Sequence, residues 1–528
     1  MLKRIVVFLL MINVLSGCKT ERIEGYLAAT GAEVLVRTRE GAEVALPRGS
    51  RVSASRKDAE ELTISYEGET YLIQNEQLVL ESKDIVPEHE AYVSTGTVCY
   101  ALEDPELPTV FLPRGTAVQV RGYLELMPNG EVKKYLTDYG YIRSECLSLT
   151  KVQESDDYLS FHEGRTNVYG SGAASQLDYS PREKPAFADN PLPTEVRALY
   201  INEEAVSRME EYVAIAKESG INAFVVNIKD GHMVAYKSEV AASFSPSTYQ
   251  AGILTKDDYA YYLSIAKEAG IYLIGRITVF KDSNYSNDHP ENAILDTSSG
   301  TAFVYGSSLW PSVYSREVWK YNLDICKEAV QSFDFNEIQF DYVRFPEGTA
   351  YYGDQLGILD LRNTYGETRS QAVQYFLIYA TAELHDLNVY VSADVFGETA
   401  NPYVTSYGQY LPAISQVVDV ISPMPYPDHF NAYEYDLKEV SWTVPYELLS
   451  RWGAQLKLRQ QEISAPAKVR CYIQGYDSVK KPRTVYDCDK LLEQIMALRD
   501  SGIYDGYIVW NGASSLERYN YYRPVYDQ

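Results

Sequence analysis

The chain has 528 residues, 45% of them hydrophobic, and its 48 basic and 73 acidic residues give a formal net charge of −25. This length and apolar content suffice for a large core and two or three domains. The acidic excess disfavours nucleic acid as a partner, because phosphate binding relies on clustered Lys and Arg. It argues equally against a strongly anionic polymer as the main substrate.

A short apolar segment follows two basic residues at the amino terminus. Lys3 and Arg4 precede an apolar run over residues 5–15, and the run ends in LSGC, whose last residue is Cys18. A membrane-spanning helix needs about 20 apolar residues, so this run is too short to be one. The pattern resembles a bacterial lipoprotein signal peptide over residues 1–17, cut before a cysteine that carries the lipid. The resemblance implies an extracytoplasmic protein that is lipid-anchored to the cell membrane through Cys18.

An internal repeat follows the amino-terminal segment. LPRGSRV recurs as LPRGTAV, and YLIQNEQLVL is echoed by GYIRSECLSL, at residues 46–52, 112–118, 71–80 and 140–149. Short alternating strands broken by Gly, Pro and Asn predict two small all-β modules, over residues 28–85 and 90–150. They resemble bacterial Src-homology-3-like domains, which often bind cell-wall material. The alternative is that they only hold the following domain away from the membrane.

The composition changes twice in the middle of the chain. Residues 151–195 are polar, rich in Ser, Gly, Asp and Pro, and predict a linker. From residue 196 to residue 528, strand and helix patterns alternate strictly, which predicts a parallel sheet with helical crossovers.

Eight segments of this second half have the pattern of buried strands: VRALYIN, AFVVNIKD, IYLIGRITVF, EIQFDYVRF, VYVSADVFG, DVISPMPYP, KVRCYIQGY and GYIVWNG. Eight strands close a barrel, so the predicted fold is α/β, a (β/α)8 TIM barrel over residues 196–528. The segments after strands two, three and four are much longer than the helix-to-strand joints, which indicates a functional mouth at the carboxyl ends. Only residues 513–528 follow the last strand, so the last helix must be short, distorted or absent.

Two of these strands each bring an aspartate to the predicted mouth. In FNEIQFDYVRFP, residues 335–346, the apolar Ile338 and Phe340 alternate with polar residues that end in Asp341. The next strand delivers Asp394 in the same way. Cleavage of a glycosidic bond usually needs two carboxyl groups, one to protonate the leaving oxygen and one to act as nucleophile or to activate water.

The alternation also predicts which other side chains point into the barrel near its mouth. The inward set consists of Lys229, Arg276, Asp341, Asp394 and Gln474. A packed core has no use for so many charges unless they are paired, and charges at the carboxyl ends of barrel strands are often functional. The alternative is a structural layer in which the two cations pair with the two aspartates.

Other chemistries have weaker support in the sequence. There is no GxSxG elbow, no phosphate-cradling glycine loop and no dinucleotide fingerprint, so no cofactor is predicted. His232, His289 and His429 fall in mouth loops and could hold a metal with Asp428, but no HxH or HExxH spacing supports this. A loop histidine that hydrogen-bonds a neighbour or a substrate is the better interpretation, and no metal site is predicted.

Several motifs together carry a family resemblance. FDYVRFP, ADVFGETA, ISPMPYPDHF, IQGY and GYIVWNGAS, spread over roughly residues 194–520, resemble a bacterial family of glycoside-hydrolase-like proteins long filed as a domain of unknown function. The resemblance implies a TIM-barrel hydrolase of polysaccharides. Carried onto this chain, it implies Asp341 as nucleophile or base, with Arg344 or Arg276 helping to keep it ionised. Asp394 is the implied proton donor, and Glu398 is its rival.

A fainter similarity extends to chitinase-like barrels, through MPY at residues 424–426 and Trp510, which would form the floor under a sugar ring. The position of the glutamate donor of those enzymes is occupied here by Arg344, so their substrate-assisted mechanism does not carry over. The predicted substrate-binding set is Lys229, Arg276, Arg344, Tyr426, Asp428, Gln474, Trp510 and Asn511.

Two functions from different classes follow from these patterns. The first is a surface-anchored hydrolase that cleaves an extracytoplasmic polysaccharide with two carboxyl groups. The second is a lipoprotein that binds cell wall or glycan through a degenerate barrel without cutting it. The hydrolase requires Asp341 and one of Asp394 or Glu398 to face each other across an open cleft, about 5 to 10 Å apart. Cations that close over both aspartates would favour the binding protein.

Overall fold

The computed structural model describes residues 22–58, 60–152, 162, 164–165 and 170–528. They form two compact units, a β-rich amino-terminal unit and a larger unit that holds a barrel. Cys18 and the rest of the predicted signal peptide lie outside the described residues. Within the described residues, every helix is too short or too polar to cross a membrane.

Two antiparallel seven-stranded sheets precede the barrel, which confirms the predicted small all-β modules. The first sheet consists of Ile23–Leu27, Glu33–Thr38, Glu43–Pro47, Arg51–Arg56, Glu61–Tyr66, Glu69–Gln74 and Leu78–Val79. The second consists of His89–Val93, Thr97–Tyr100, Pro108–Leu112, Ala117–Leu126, Val132–Thr137, Gly140–Arg143 and Leu147–Ser148. The period of two is visible in Glu33–Thr38, where Val34 and Val36 are buried and their neighbours are not.

The internal repeat corresponds to one turn that occurs in both sheets. In each LPRG sequence the glycine is left-handed, with φ of 82° at Gly49 and 83° at Gly115. The N–H of Gly49 donates to Leu27 and the N–H of Gly115 donates to Val93, each over 2.8 Å. A residue with a Cβ would be strained there, so the repeated glycine reflects a repeated backbone conformation.

The larger unit contains eight parallel strand positions in a nearly closed barrel, as predicted. They are β1 (Val196–Ile201), β2 (Ala223–Asp230), β3 (Tyr272–Thr278), β4 (Glu337–Asp341), β5 (Tyr390–Phe396), β6 (Val420–Met424), β7 (Lys468–Val469 and Cys471–Gln474) and β8 (Gly506–Trp510). Arg470 interrupts β7, so that its first part pairs with β6 and its second part with β8. β8 pairs with β1, which completes the ring.

Helices alternate with these strands. They are α1 (Met209–Lys217), α2 (Lys256–Glu268), α3 (Arg316–Phe333), α4 (Arg369–His385), α5 (Leu411–Ser415), α6 (Pro445–Gln460), α7 (Cys488–Ser501) and α8 (Leu516–Tyr521). The last has only six residues, which confirms the prediction of a short final helix. Buried apolar residues on β1 to β3, β7 and β8 pack together, with Tyr426 at the end of β6, so the barrel is filled with side chains.

The long loops at the carboxyl ends have ordered structure of their own. The loop after β2 contains helices Glu239–Phe244 and Pro246–Ala251, and the loop after β3 contains helix Ser283–Asp288. A small sheet joins Leu295–Asp296, Thr301–Ala302 and Leu359–Asp360, and a hairpin joins Val304–Tyr305 to Ser308–Leu309. These elements build the walls of the mouth.

The amino ends of the strands are covered by part of the segment predicted as a linker. Lys184 donates through Nζ to the carbonyls of Ser415, Gln416 and Val418. Asn190 donates through Nδ2 to the carbonyls that precede β4 and β5, over 2.8 and 2.9 Å. This stretch therefore packs into the base of the barrel and fixes the end opposite to the mouth.

Candidate functional site

β4 brings three polar side chains into the barrel and ends at Asp341. The predicted strand continued to Phe345, but it stops because Tyr342 is left-handed, with a φ of 51°. This turn directs the Tyr342 N–H back to Oδ1 of Asp341, over 2.6 Å. The carboxylate is therefore held by the residue that ends its own strand.

Arg276 on β3 forms an ion pair with Asp341. Its Nε and Nη2 donate to Oδ2 of Asp341 over 3.2 and 2.5 Å. Its Nη1 donates to Oδ1 of Asn227 on β2 over 2.9 Å. The Arg276 side chain is 2% exposed and that of Asp341 is 10% exposed. Of this pair, the carboxylate is the more exposed member.

Asp394 on β5 lies beside this ion pair and is fully enclosed. Its Oδ2 is 4.0 Å from Nε of Arg276, and neither of its oxygens accepts a hydrogen bond from a residue that the structure describes. Burial raises the pKa of Asp394 well above its usual range, and the Asp341 carboxylate raises it further, while Arg276 opposes the shift. Both effects favour the protonated, neutral form of Asp394.

Aromatic rings surround these three residues. The Arg276 guanidinium lies 5.6 Å from the ring centres of Tyr200 and Trp510. Tyr200 and Trp510 pack with 4.1 Å between ring centres, and Tyr426 lies 6.5 Å from Trp510. Trp510 is half-buried, which gives the mouth an apolar floor beside Asp341.

Glu398, in the turn after β5, is exposed and lines a cavity of about 590 Å³. The hydroxyls of Tyr403 and Tyr407 donate to its two oxygens over 3.0 and 2.8 Å. The cavity begins at Phe396 and Met424, where β5 and β6 end. Its other lining residues are Gly397, Asn401, Tyr403, Asp428, His429, Phe430, Asn431, Glu434, Tyr435, Val479 and Lys480.

Three residues of the predicted binding set are engaged in loop structure. Asp428 is fully buried and accepts the Tyr476 hydroxyl and the Val479 N–H, both over 3.0 Å. Gln474 accepts the N–H of Asp428 over 3.2 Å, and Asn511 donates to the Gly475 carbonyl over 2.9 Å. These bonds connect the loops after β6, β7 and β8, while contact with a substrate stays a prediction.

The inward orientation expected for Lys229 is wrong. A bulge between Asn227 and Lys229 shifts the pairing of β2, so that Lys229 aligns with Ile277 of β3. The side chain is fully buried and its Nζ binds Asp282 over 2.7 Å, with the Tyr321 ring of α3 5.7 Å away. Lys229 therefore supports the loop after β3 from the helix side of the sheet.

Arg344 does not bind Asp341. Its guanidinium pairs with Glu347 over 3.0 Å and lies 4.4 Å from the ring centre of Phe396. It is nearly buried, so it links the wall after β4 to the wall after β5. Of the two cations expected to accompany Asp341, Arg276 is the one that does so.

Some residues of the mouth carried no signal in the sequence. Tyr403 and Tyr407, which hold Glu398, lie in an irregular loop with no periodic pattern. Glu434 and Tyr435 reach the cavity from the loop after β6, ten and eleven residues beyond the end of the strand.

Comparison with protein families identifies the class to which this barrel belongs. A family model described as "putative glycosyl hydrolase domain" matches residues 198–516, which is more than half of the chain and covers all eight strands. The chain belongs to this family. No curated protein matches the chain significantly.

Solved structures with a similar fold include a hypothetical protein of Ruminiclostridium thermocellum, with 32% identity over 37% of this chain and 97% of that one, and a TM-score of 0.32. The PgaB (BpsB) glycoside hydrolase domain of Bordetella bronchiseptica is 13% identical over 61% of this chain and 95% of its own, with a TM-score of 0.41. The spore cortex-lytic enzyme SleL of Bacillus megaterium is 11% identical over 68% and 79%, with a TM-score of 0.38.

Proposed function

We propose that this protein is a glycoside hydrolase that cleaves an extracytoplasmic polysaccharide at the carboxyl-terminal mouth of its barrel. The observation that carries the proposal is the Arg276–Asp341 ion pair, which presents a carboxylate at the end of β4 beside the half-buried Trp510. Charged residues at this end of a barrel are where such enzymes keep their chemistry. Membership of the glycosyl hydrolase family supports the reaction class.

In this mechanism Asp341 is the nucleophile or the base. Three N–H donors fix its two oxygens, two from Arg276 and one from Tyr342, so it meets a sugar ring in a single orientation. A fixed negative charge stabilises the positive charge that develops on the sugar as the glycosidic bond breaks. Trp510 offers a flat apolar surface beside it for the ring itself.

Glu398 is the proton donor that we favour. It is exposed in the 590 Å³ cavity, whereas the Asp394 side chain is fully enclosed and has no path to a leaving oxygen in this conformation. Asp394 then acts through Asp341 and Arg276 as a positioning residue. As a neutral acid, it leaves the Arg276 charge available to Asp341.

One observation favours the second function, a barrel that binds glycan without cutting it. Only 10% of the Asp341 side chain is exposed, and Asp394 is closed off entirely. A barrel that had lost catalysis could retain the same charged layer for structure and use the cavity for binding alone.

We further propose that the protein is held at the cell surface by a lipid on Cys18 and that the small β modules contact cell-wall material. The support is the LSGC sequence after an apolar run and the repeated all-β modules. Cells grown with a labelled fatty acid would incorporate label into the wild type and not into Cys18→Ser. A pull-down of residues 28–150 on purified wall tests the modules.

The experiment for the enzyme measures new reducing ends on a panel of bacterial wall and capsular polysaccharides. We expect turnover by the wild type and a loss of roughly a hundredfold to a thousandfold in Asp341→Asn. Glu398→Gln should lose activity on substrates with poor leaving groups. Asp360→Asn, another carboxylate of the mouth loops, is the matched control.

Two outcomes would separate the functions. Equal turnover by the wild type and Asp341→Asn would remove this residue from the mechanism. Binding of a polysaccharide without any turnover would favour the non-catalytic protein.

A further inference from the structure

Three tyrosines of the mouth adopt a backbone conformation that tyrosine rarely adopts. Among the described residues, eleven other than glycine have a positive φ, and the aromatic ones are Tyr342, Tyr433 and Tyr435, at 51°, 62° and 56°. Tyr342 follows β4, and the other two lie in the loop after β6. A Cβ clashes with the backbone in this region, so glycine or asparagine would be more favourable at each position.

Burial accounts for only part of the reason why large rings are kept there. Tyr433 is 56% exposed, whereas Tyr342 and Tyr435 are partly buried, and Tyr342 packs against the apolar cluster that contains Trp310. A buried ring offsets backbone strain by leaving water, and at these positions the offset is incomplete. Strained residues that persist with incomplete compensation are concentrated at functional sites.

Two cations lie close to the ring of Tyr342, next to Asp341. The Lys281 ammonium lies 4.5 Å from its ring centre and donates to its hydroxyl over 3.3 Å. The Arg344 guanidinium lies 4.9 Å from the same ring. Trp310 meets the ring at an angle, with 5.9 Å between ring centres. The ring is thus held in place from several sides, adjacent to the carboxylate that is proposed to react.

Tyr435 belongs to the loop after β6. It lines the 590 Å³ cavity together with Glu398, and its ring centre is 6.1 Å from that of Phe430. Tyr433 belongs to the same loop, but it lies outside the lining of the cavity. The two strained tyrosines of the inference therefore belong to two different loops, one after β4 and one after β6.

We infer that Tyr342 and Tyr435 are aromatic platforms for two different sugar units of one glycan. The glycan would cross the mouth from the loop after β4 to the loop after β6, past Asp341 and Glu398. The apolar C–H face of a pyranose suits an aromatic ring, which favours neutral hexose or N-acetylhexosamine units at both positions. The inference rests on the proposed function only in that the mouth binds a glycan.

The competing explanation is that the left-handed conformation serves only to form the backbone turns, with no role for the tyrosine rings. The left-handed turn at Tyr342 directs its N–H to Asp341, and Asp436 is also left-handed, with a φ of 56°. If the turns alone mattered, glycine would serve as well as tyrosine or better. Replacement by glycine therefore separates the two explanations, because it keeps the turn and removes the ring.

The test uses the full chain with Asp341→Asn, so that a bound glycan is not consumed. Titration calorimetry measures its dissociation constants for cellohexaose, N-acetylchitohexaose and xylohexaose, and thermal unfolding is followed in parallel. With Tyr342→Gly or Tyr435→Gly we expect an unchanged or higher melting temperature and binding weaker by about tenfold for each ring lost. Tyr342→Phe and Tyr435→Phe should bind normally. Tyr342→Asn and Tyr435→Asn, which tolerate the same turn, serve if a glycine variant does not fold.

Two controls relieve strain without removing a proposed platform. Tyr433→Gly alters the same loop outside the cavity, and Asp334→Gly alters a left-handed residue at the end of α3. Both should leave binding unchanged. Unchanged binding by Tyr342→Gly and Tyr435→Gly would overturn the inference, as would equal weakening by Tyr433→Gly or the absence of binding to any of the three probes. If the wild type binds a probe through both rings but never cleaves it, the proposed hydrolase activity is contradicted, while the inference that Tyr342 and Tyr435 bind sugar units stands.

Discussion

The barrel contains two arginine–carboxylate pairs, one at its base and one at its mouth. At the base, Nη1 of Arg470 lies 2.6 Å from Oε2 of Glu337, and the side chains are 1% and 0% exposed. At the mouth, Arg276 and Asp341 lie 2.5 Å apart, and the carboxylate is 10% exposed. Glu337 and Asp341 are four residues apart on the same face of β4. The two pairs thus have the same chemistry at two depths.

The depth decides what each pair can do. Tyr272 donates to Glu337 over 3.1 Å and helps to close the base pair off from solvent. The mouth pair has the enclosed Asp394 beside it, and 10% of its Asp341 side chain is exposed. A charge that solvent and ligand cannot reach serves only structure, whereas a charge at the rim can act on a substrate.

The largest expected effect concerns the base pair. Arg470→Met leaves Glu337 buried without its cation, which should lower the free energy of unfolding by about 3–5 kcal/mol. All five tryptophans lie in the barrel unit, so denaturation followed by tryptophan fluorescence measures this change. The double variant Arg470→Met with Glu337→Met should recover most of the loss. A single variant as stable as the wild type would contradict a structural role for this pair.

The same substitution at the mouth should mainly affect turnover. Arg276→Met removes the partner of Asp341, and we expect activity to fall by roughly a hundredfold. The stability loss should be smaller than that of Arg470→Met, because Asp341 can regain water at the rim. Reducing-end assays and the fluorescence transition measure the two quantities on the same protein. Equal stability losses for both arginine variants would contradict the assignment of a structural role to the base pair and a functional role to the mouth pair.

The pH dependence of stability tests the neutral state of Asp394. The pKa of Asp394 is raised in the folded protein, so above about pH 4 the folded state holds a proton that the unfolded state releases. Its contribution to stability is therefore present at low pH and is lost as the pH rises. Asp394→Asn has no proton to lose at this position. The melting temperature of the variant minus that of the wild type should therefore increase from pH 4 to pH 7. Parallel curves for the two proteins would show that Asp394 is not held neutral.

The smallest effect is expected at the hydroxyls that hold Glu398. Tyr407→Phe removes one of two donors, while Tyr403 keeps the other, and we expect turnover to fall by up to about tenfold. Tyr446→Phe is the matched control, because its hydroxyl also donates to a carboxylate, Asp500, over 2.7 Å, on the helical side of the barrel. Its activity should match the wild type. A loss of the same size in the control would indicate a general effect on stability.

The strict alternation of strand and helix patterns was sufficient to predict the barrel and all eight strand positions. It also placed Asp341 and Arg276 correctly, because side chains alternate faces along a regular strand. The same rule failed at Lys229, where one extra residue in a bulge reverses the alternation. The predicted strand β4 also ran too far, to Phe345, because the chain is left-handed at Tyr342 and the strand ends at Asp341.

The sequence by itself determined the layers of the molecule: two repeated β modules, an eight-stranded barrel and a row of charges on the inner faces of its strands. These follow from local patterns of period two, from turns and from spacing. Only the tertiary structure decided which charges pair, because Arg276 and Arg470 reach carboxylates 65 and 133 residues away along the chain. It also decided that Asp394 is enclosed while Glu398 is open, since the exposure of a side chain depends on what the distant loops place above it.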